Sequence, residues 1–185
     1  MKLNLGCGNN KRNGFVNIDK YSACKPDLIM DCEKFPWTFS DNEIEEIIFN
    51  HSLEHMGAQE DIFLDIIKEI YRVCKSKAVV QINVPHPRHD NFLGDPTHVR
   101  AITPQLLTLF SKKNNHYWKD EGFSNTPFAL YLDVDFEIKN VVTVLERNYL
   151  DLLNNKKITE EELQKKIKEN NNIVVEYLIT LEVIK

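Results

Sequence analysis

The chain has 185 residues, 42% hydrophobic and 28% charged, with a formal net charge of −5. That length supports one core of ordinary size, and the composition is that of a globular protein rather than a disordered or fibrous one. The negative balance argues against a nucleic-acid backbone as main partner. No apolar run is long enough to span a membrane, and no apolar segment of a secretion signal precedes the first strand.

In chain order, "KLNL" (2–5) is a short apolar run stopped by glycine, which predicts a buried strand. "FVNID" (15–19) predicts a second, "PDLIMD" (26–31) a third and "EEIIFN" (45–50) a fourth. Residues 58–74 carry apolar groups at 62, 63, 66, 67, 70 and 73, which is helical spacing. "AVVQINVP" (78–85) predicts a fifth strand. Thr103 and Pro104 are placed as N-cap and first residue of a helix over 103–110. Long β-rich runs follow at 136–146 and 173–184, and between them Thr159 and Glu162 form the capping box of a solvated helix, 159–169. The Asn- and Lys-rich stretches 154–157 and 168–172 read as flexible surface loops. Alternating strand and helix predicts an α/β fold: a three-layer, Rossmann-like, mostly parallel sheet with an antiparallel C-terminal hairpin, built as one domain over 1–185. Residues 1–102 form its first half and 103–185 its second. Cys7, Cys24, Cys32 and Cys74 form no CxxC pair, so they are expected as reduced thiols in a cytoplasmic protein.

The opening "LNLGCGNNKRNGFVNID" (3–19) carries the first chemical signal. A glycine turn after a buried strand lets backbone N–H groups approach a ligand with no side chain between them. A dinucleotide fingerprint needs a third glycine three residues after the second, and an acid about 20 residues on. Here position 11 is Lys, and Asp19 follows Gly8 by only eleven residues, which counts against a nicotinamide cofactor. Asp19, Asp31 and the pair Asn50–His51 stand at the ends of the second, third and fourth strands. In a parallel sheet of one winding sense, those ends share an edge, where ligands bind. Together they suit a nucleoside-like ligand without a pyrophosphate.

"LNLGCG", "NID", "HSLEH" and "EIYRVCK…AVVQINVP" resemble the class I, Rossmann-like S-adenosylmethionine-dependent methyltransferases over about the first hundred residues. The resemblance implies that S-adenosylmethionine is held by Leu5, Gly6, Cys7, Gly8, Asp19, Lys20, Asp31, Cys32, Asn50 and His51. It also implies methyl transfer to a small or sugar-like acceptor, while the negative charge, the absence of an "NPPY"-like element after the fourth strand and the lack of a long apolar run make neither nucleic acid nor membrane the expected partner. The oligomeric state is open. Three departures stand out. The family's strand-one acid is Asn4, its third glycine is Asn10, and its "KPGG" turn is "KSKA" (75–78). The link 6–14 has nine residues where a parallel crossover normally takes a dozen or more, which predicts a first helix cut to one turn.

"VPHPRHDNFLGDPTHVRAITP" (84–104) follows the fifth strand. His98 is the first choice for a base that takes the acceptor's proton, with Asp95 beside it and Arg100 as a bidentate hold on an anionic acceptor. Two histidines and a carboxylate could also bind a metal, but the spacing of His86, His89, Asp95 and His98 matches no metal motif, and no metal ligand is assigned. Glu54 and His55 are expected to stabilise the start of helix 58–74. Tyr117 and Trp118 are either an aromatic wall for the acceptor or packing under a loop. The competing functions are a cofactor-binding module without turnover and a nicotinamide-dependent reductase.

Overall fold

The computed structural model describes all residues, 1–185. Seven strands form one sheet: β1 (Lys2–Leu5), β2 (Val16–Asp19), β3 (Leu28–Ile29), β4 (Ile44–Asn50), β5 (Cys74–Pro85), β6 (Phe136–Leu145) and β7 (Val174–Val183). Their order is β3-β2-β1-β4-β5-β7-β6. The first five run parallel, and β7 pairs antiparallel with both β5 and β6. This is the expected Rossmann-like sheet with its antiparallel terminal hairpin.

The helices are α1 (Glu60–Val73), α2 (Asp90–Leu93), α3 (Pro104–Thr108), α4 (Lys112–Asp120), α5 (Phe128–Leu132), α6 (Arg147–Asn154) and α7 (Glu160–Glu169). α1 begins at an uncapped Gln59 and buries Phe63, Ile66, Ile67 and Ile70. These meet Leu3, Leu5, Ile47, Phe49, Val80 and Ile82, which the strand register places on one sheet face. The expected caps are present: Thr103 accepts from the Leu106 N–H, and Thr159 and Glu162 close a full capping box. The opposite sheet face carries polar cross-strand bonds, Gln81 to Glu46 and Asn83 to Asn50, both 2.9 Å.

Three local expectations change. The β1–β2 link contains turns and no helix at all. In its place Asn4, 1% exposed, donates to the Asn10 carbonyl and to Asn17 Oδ1, both 2.9 Å. Asn17 in turn bonds the Arg12 N–H and Asp27. β3 shrinks to two residues at the sheet edge, with Ile29 exposed. Residues 170–172 are anchored rather than loose. Arg88 donates to the Asn170 carbonyl at 2.5 Å and to Asn171 Oδ1 at 3.1 Å, and Asn172 accepts from the Asp90 N–H. All four cysteines are unpaired, and no helix is long and apolar enough to cross a membrane.

Candidate functional site

The parallel strands deliver their carboxyl ends to one rim, where a cavity of about 450 Å³ opens. Its floor is the turn after β1. Gly6 adopts φ +66°, and a Cβ there would lie 2.6 Å from the Ser52 Cβ. Only glycine therefore lets the turn after β4 close against the turn after β1. Ser52 completes the contact by donating to the Leu5 carbonyl at 2.7 Å. Gly8, at φ +48°, donates its N–H to Asp19 Oδ2 at 2.8 Å, and Tyr21 donates its N–H to Oδ1 at 2.9 Å. The glycine bend and the Asp19 carboxylate thus sit on the same rim. Each carboxylate oxygen keeps acceptor capacity beyond its one backbone bond.

Six of the ten cofactor candidates line this cavity: Gly6, Asp19, Lys20, Asp31, Cys32 and His51. Leu5, Cys7, Gly8 and Asn50 do not. Leu5 is fully buried beneath it, Cys7 is 4% exposed and bonded through Sγ to the Gly8 carbonyl, and Asn50 accepts from Asn83. They shape the loops rather than the surface. Burial pushes the Cys32 thiol up to about 12, so it lines the wall as an uncharged, unreactive group. Met30 and Met56 add soft apolar wall, and Tyr21, Glu33, Ser52, His55 and Thr97 complete it. The sequence reading missed these seven. Ser52 and Met56 reach the site from the turn after β4, and nothing in their spacing announces that approach.

His51 directly follows β4 at φ +52°, an unusual backbone for a residue with a side chain and one that clusters at functional sites. Its Nδ1 lies 3.7 Å from Glu54, and its Nε2 lies 2.9 Å from Glu176, which enters the rim from the start of β7. Glu54 first, and Glu176 with it, hold the imidazole pKa above its ordinary value against the opposing effect of burial.

A second cavity of about 380 Å³ adjoins the first, with His51 and His55 in both walls. Asp95 and His98 line it, as does Glu54. His98 donates Nδ1–H to the Phe92 carbonyl at 2.9 Å and stacks on the Phe92 ring, so the lone pair of the neutral ring is on Nε2, 3.8 Å from Asp95 Oδ2. Asp95 is engaged by Thr97, whose N–H and hydroxyl both donate to it and hold its carboxyl below the usual range. Arg100 is placed differently from the expected anion clamp. Its Nε and Nη2 both donate to the Gly57 carbonyl, and the guanidinium stacks 4.3 Å from the Phe63 ring centre, outside both cavity walls. Glu54 and His55 do not cap α1. They form a separate 3₁₀ turn, and His55 bonds Thr97 at 2.9 Å. His86 lies 5.0 Å from the Tyr177 ring, and His89 bonds Glu146, so neither faces a cavity with His98. Tyr117 is exposed on α4 against Phe123, and neither it nor Trp118 lines a wall.

No family model and no curated protein matches the sequence. Solved structures do match the fold. A SAM-dependent methyltransferase from Archaeoglobus fulgidus superposes with a TM-score of 0.64 at 17% identity, covering 98% of this chain and 85% of that one. A SAM-dependent methyltransferase from Methanosarcina mazei gives 0.58 at 13%, covering 99% and 92%. The [4+2]-cyclase SpnF gives 0.57 at 14%, covering 99% and 75%. The chain therefore has the class I methyltransferase fold. The cyclase is a reminder that this fold also carries other chemistry, so activity must be argued from the site.

Proposed function

We propose that the protein is an S-adenosylmethionine-dependent methyltransferase acting on a small or sugar-like acceptor. One observation carries the reading: the Gly8 N–H bond to Asp19 fixes the glycine bend and the strand-two carboxylate on one rim of a ligand-sized cavity. S-adenosylmethionine, when bound, supplies a methyl group on a sulfonium and leaves as S-adenosylhomocysteine. The chain's own task is positioning, which can provide most of the acceleration for an in-line displacement. Asp19 offers the remaining acceptor capacity of its carboxylate to paired ribose hydroxyls. Gly6 keeps the floor bare, and Met30, Cys32 and Met56 supply an uncharged wall. The adjoining cavity supports an acceptor beside the cofactor, sharing His51 and His55 with it. A cytoplasmic setting fits the four unpaired thiols.

A nicotinamide cofactor fits less well. Its pyrophosphate needs a helix N-terminus after the first strand, and the β1–β2 link has no helix. Calorimetry with S-adenosylmethionine and S-adenosylhomocysteine tests the reading: both are expected to bind, and no heat from either in folded protein overturns it. Product formation with a panel of hydroxylated acceptors separates an enzyme from a module that only binds.

A further inference from the structure

We propose that Glu54, His55 and His98 form a binding site for a divalent first-row transition-metal ion in the wall between the two cavities. Glu54 is 1% exposed, and neither of its side-chain oxygens has a hydrogen-bond partner. A buried carboxylate without hydrogen bonds is costly, and its ion-pair contact with His51 Nδ1, 3.7 Å away, is too long to supply one. One ligand atom from each of Glu54, His55 and His98 lies within 4.8 Å of the others.

Both imidazoles have Nδ1 engaged, which makes Nε2 the ring nitrogen available for ligation. His98 commits Nδ1–H to the Phe92 carbonyl. The Thr97 hydroxyl gives its proton to Asp95 at 2.6 Å, so it accepts from His55 Nδ1–H at 2.9 Å. In the neutral rings each lone pair is therefore on Nε2, with the Nδ1 partners acting as the outer supports that metal-binding histidines use. The backbone holds the parts together before any ion arrives. The Glu54 carbonyl accepts from the N–H groups of Val99 and Arg100, which pins the His98 segment to the 3₁₀ turn carrying Glu54 and His55. Two imidazoles and one carboxylate suit zinc, iron(II), cobalt or manganese better than magnesium or calcium. Three protein ligands leave coordination positions open toward the adjoining cavity. Resting on the methyltransferase reading, those positions face an acceptor with an oxygen donor, such as a hydroxyl. Ligation also occupies the His98 lone pair that a general base would need.

The test is calorimetric titration of the chelator-treated full chain with zinc, cobalt and manganese chlorides. One equivalent should bind, with zinc tighter than manganese. Glu54→Gln and His98→Ala should abolish binding. Thr97→Val, which removes the hydroxyl that supports His55 but no ligand, should weaken it about 10- to 100-fold. His86→Ala, outside the cluster, should bind like the parent. Circular dichroism and S-adenosylhomocysteine binding in metal-free buffer report separately on folding and on the cofactor cavity. No binding by the parent chain, or equal binding by folded Glu54→Gln and His98→Ala, overturns the metal site while leaving the cofactor reading standing.

Discussion

Gly6 and Gly8 look alike in the sequence, yet the structure gives them different burdens. Both adopt positive φ, but a Cβ at Gly8 meets nothing within 4 Å, whereas one at Gly6 collides with Ser52. Gly8→Ala should cost only the left-handed backbone, about 1–2 kcal/mol, and should fold. Gly6→Ala adds an overpacking clash of about 1–3 kcal/mol and should also narrow the cofactor cavity. Urea midpoints should rank the two variants in that order, and calorimetry should find S-adenosylhomocysteine binding lost in Gly6→Ala. At Asp19 the expectation concerns binding. Asp19→Ala should weaken the cofactor by about 1–3 kcal/mol, roughly 5- to 150-fold, through lost charge-assisted bonds. An affinity equal to the parent's would mean the ribose lies elsewhere. The glycine bend and Asp19 were legible because local spacing encodes them. Glu54 was not: a glutamate after a strand usually faces water, and the contact that brings residues 99 and 100 back to its backbone is long-range.

Between β1 and β2, side chains replace a structural element. Nine residues are too few for the usual crossover, and the expected single helical turn does not form, because Asn4 and Asn17 supply the hydrogen bonds a helix would have made internally. Asn17 accepts from the Arg12 N–H and from Asn4, and it donates to Asp27 at 2.7 Å. Asn17→Ala leaves buried donors without partners and should cost about 1–3 kcal/mol in chemical denaturation. Asp27 closes this network by accepting from both the backbone and the side chain of Asn17, and those two bonds lower its pKa from the ordinary 3.8. A carboxylate lowered in the folded state stabilises the fold above its unfolded value, and that contribution disappears as pH falls through the folded value. The urea midpoint should therefore drop on acidification below the ordinary carboxylate range, and Asp27→Asn should flatten that part of the profile. A profile unchanged by the substitution would remove Asp27 from the link. Strand and helix periodicity showed where β1, β2 and α1 lie. It could not show that a polar side chain on a central strand would take over the work of a missing helix.

Across the whole molecule, winding order was the most legible property and docking the least. Alternating buried strands dictate that the strand ends share a rim, and the terminal hairpin follows from two long β-rich runs. The excursion α6–α7 is legible in the sequence only as a solvated helix between flexible loops, since its apolar residues, Ile158, Leu163 and Ile173, form a small core of their own. What ties it to the rest is a set of long-range polar contacts that no local pattern reveals. Arg88, from the histidine-rich loop, reaches the Lys168 and Asn170 carbonyls, and His89 bonds Glu146 at 2.9 Å beside the start of α6. The excursion therefore braces the segment that carries His98 to the rim. Arg88→Ala should release this brace without touching either cavity wall. Hydrogen exchange should accelerate over residues 160–172 and 86–98, while the β1, β4 and β5 amides keep their protection. If exchange over 86–98 matched the parent's, the Arg88 bonds would have no part in ordering the loop, which the His89–Glu146 and Asp90–Asn172 contacts would hold without them.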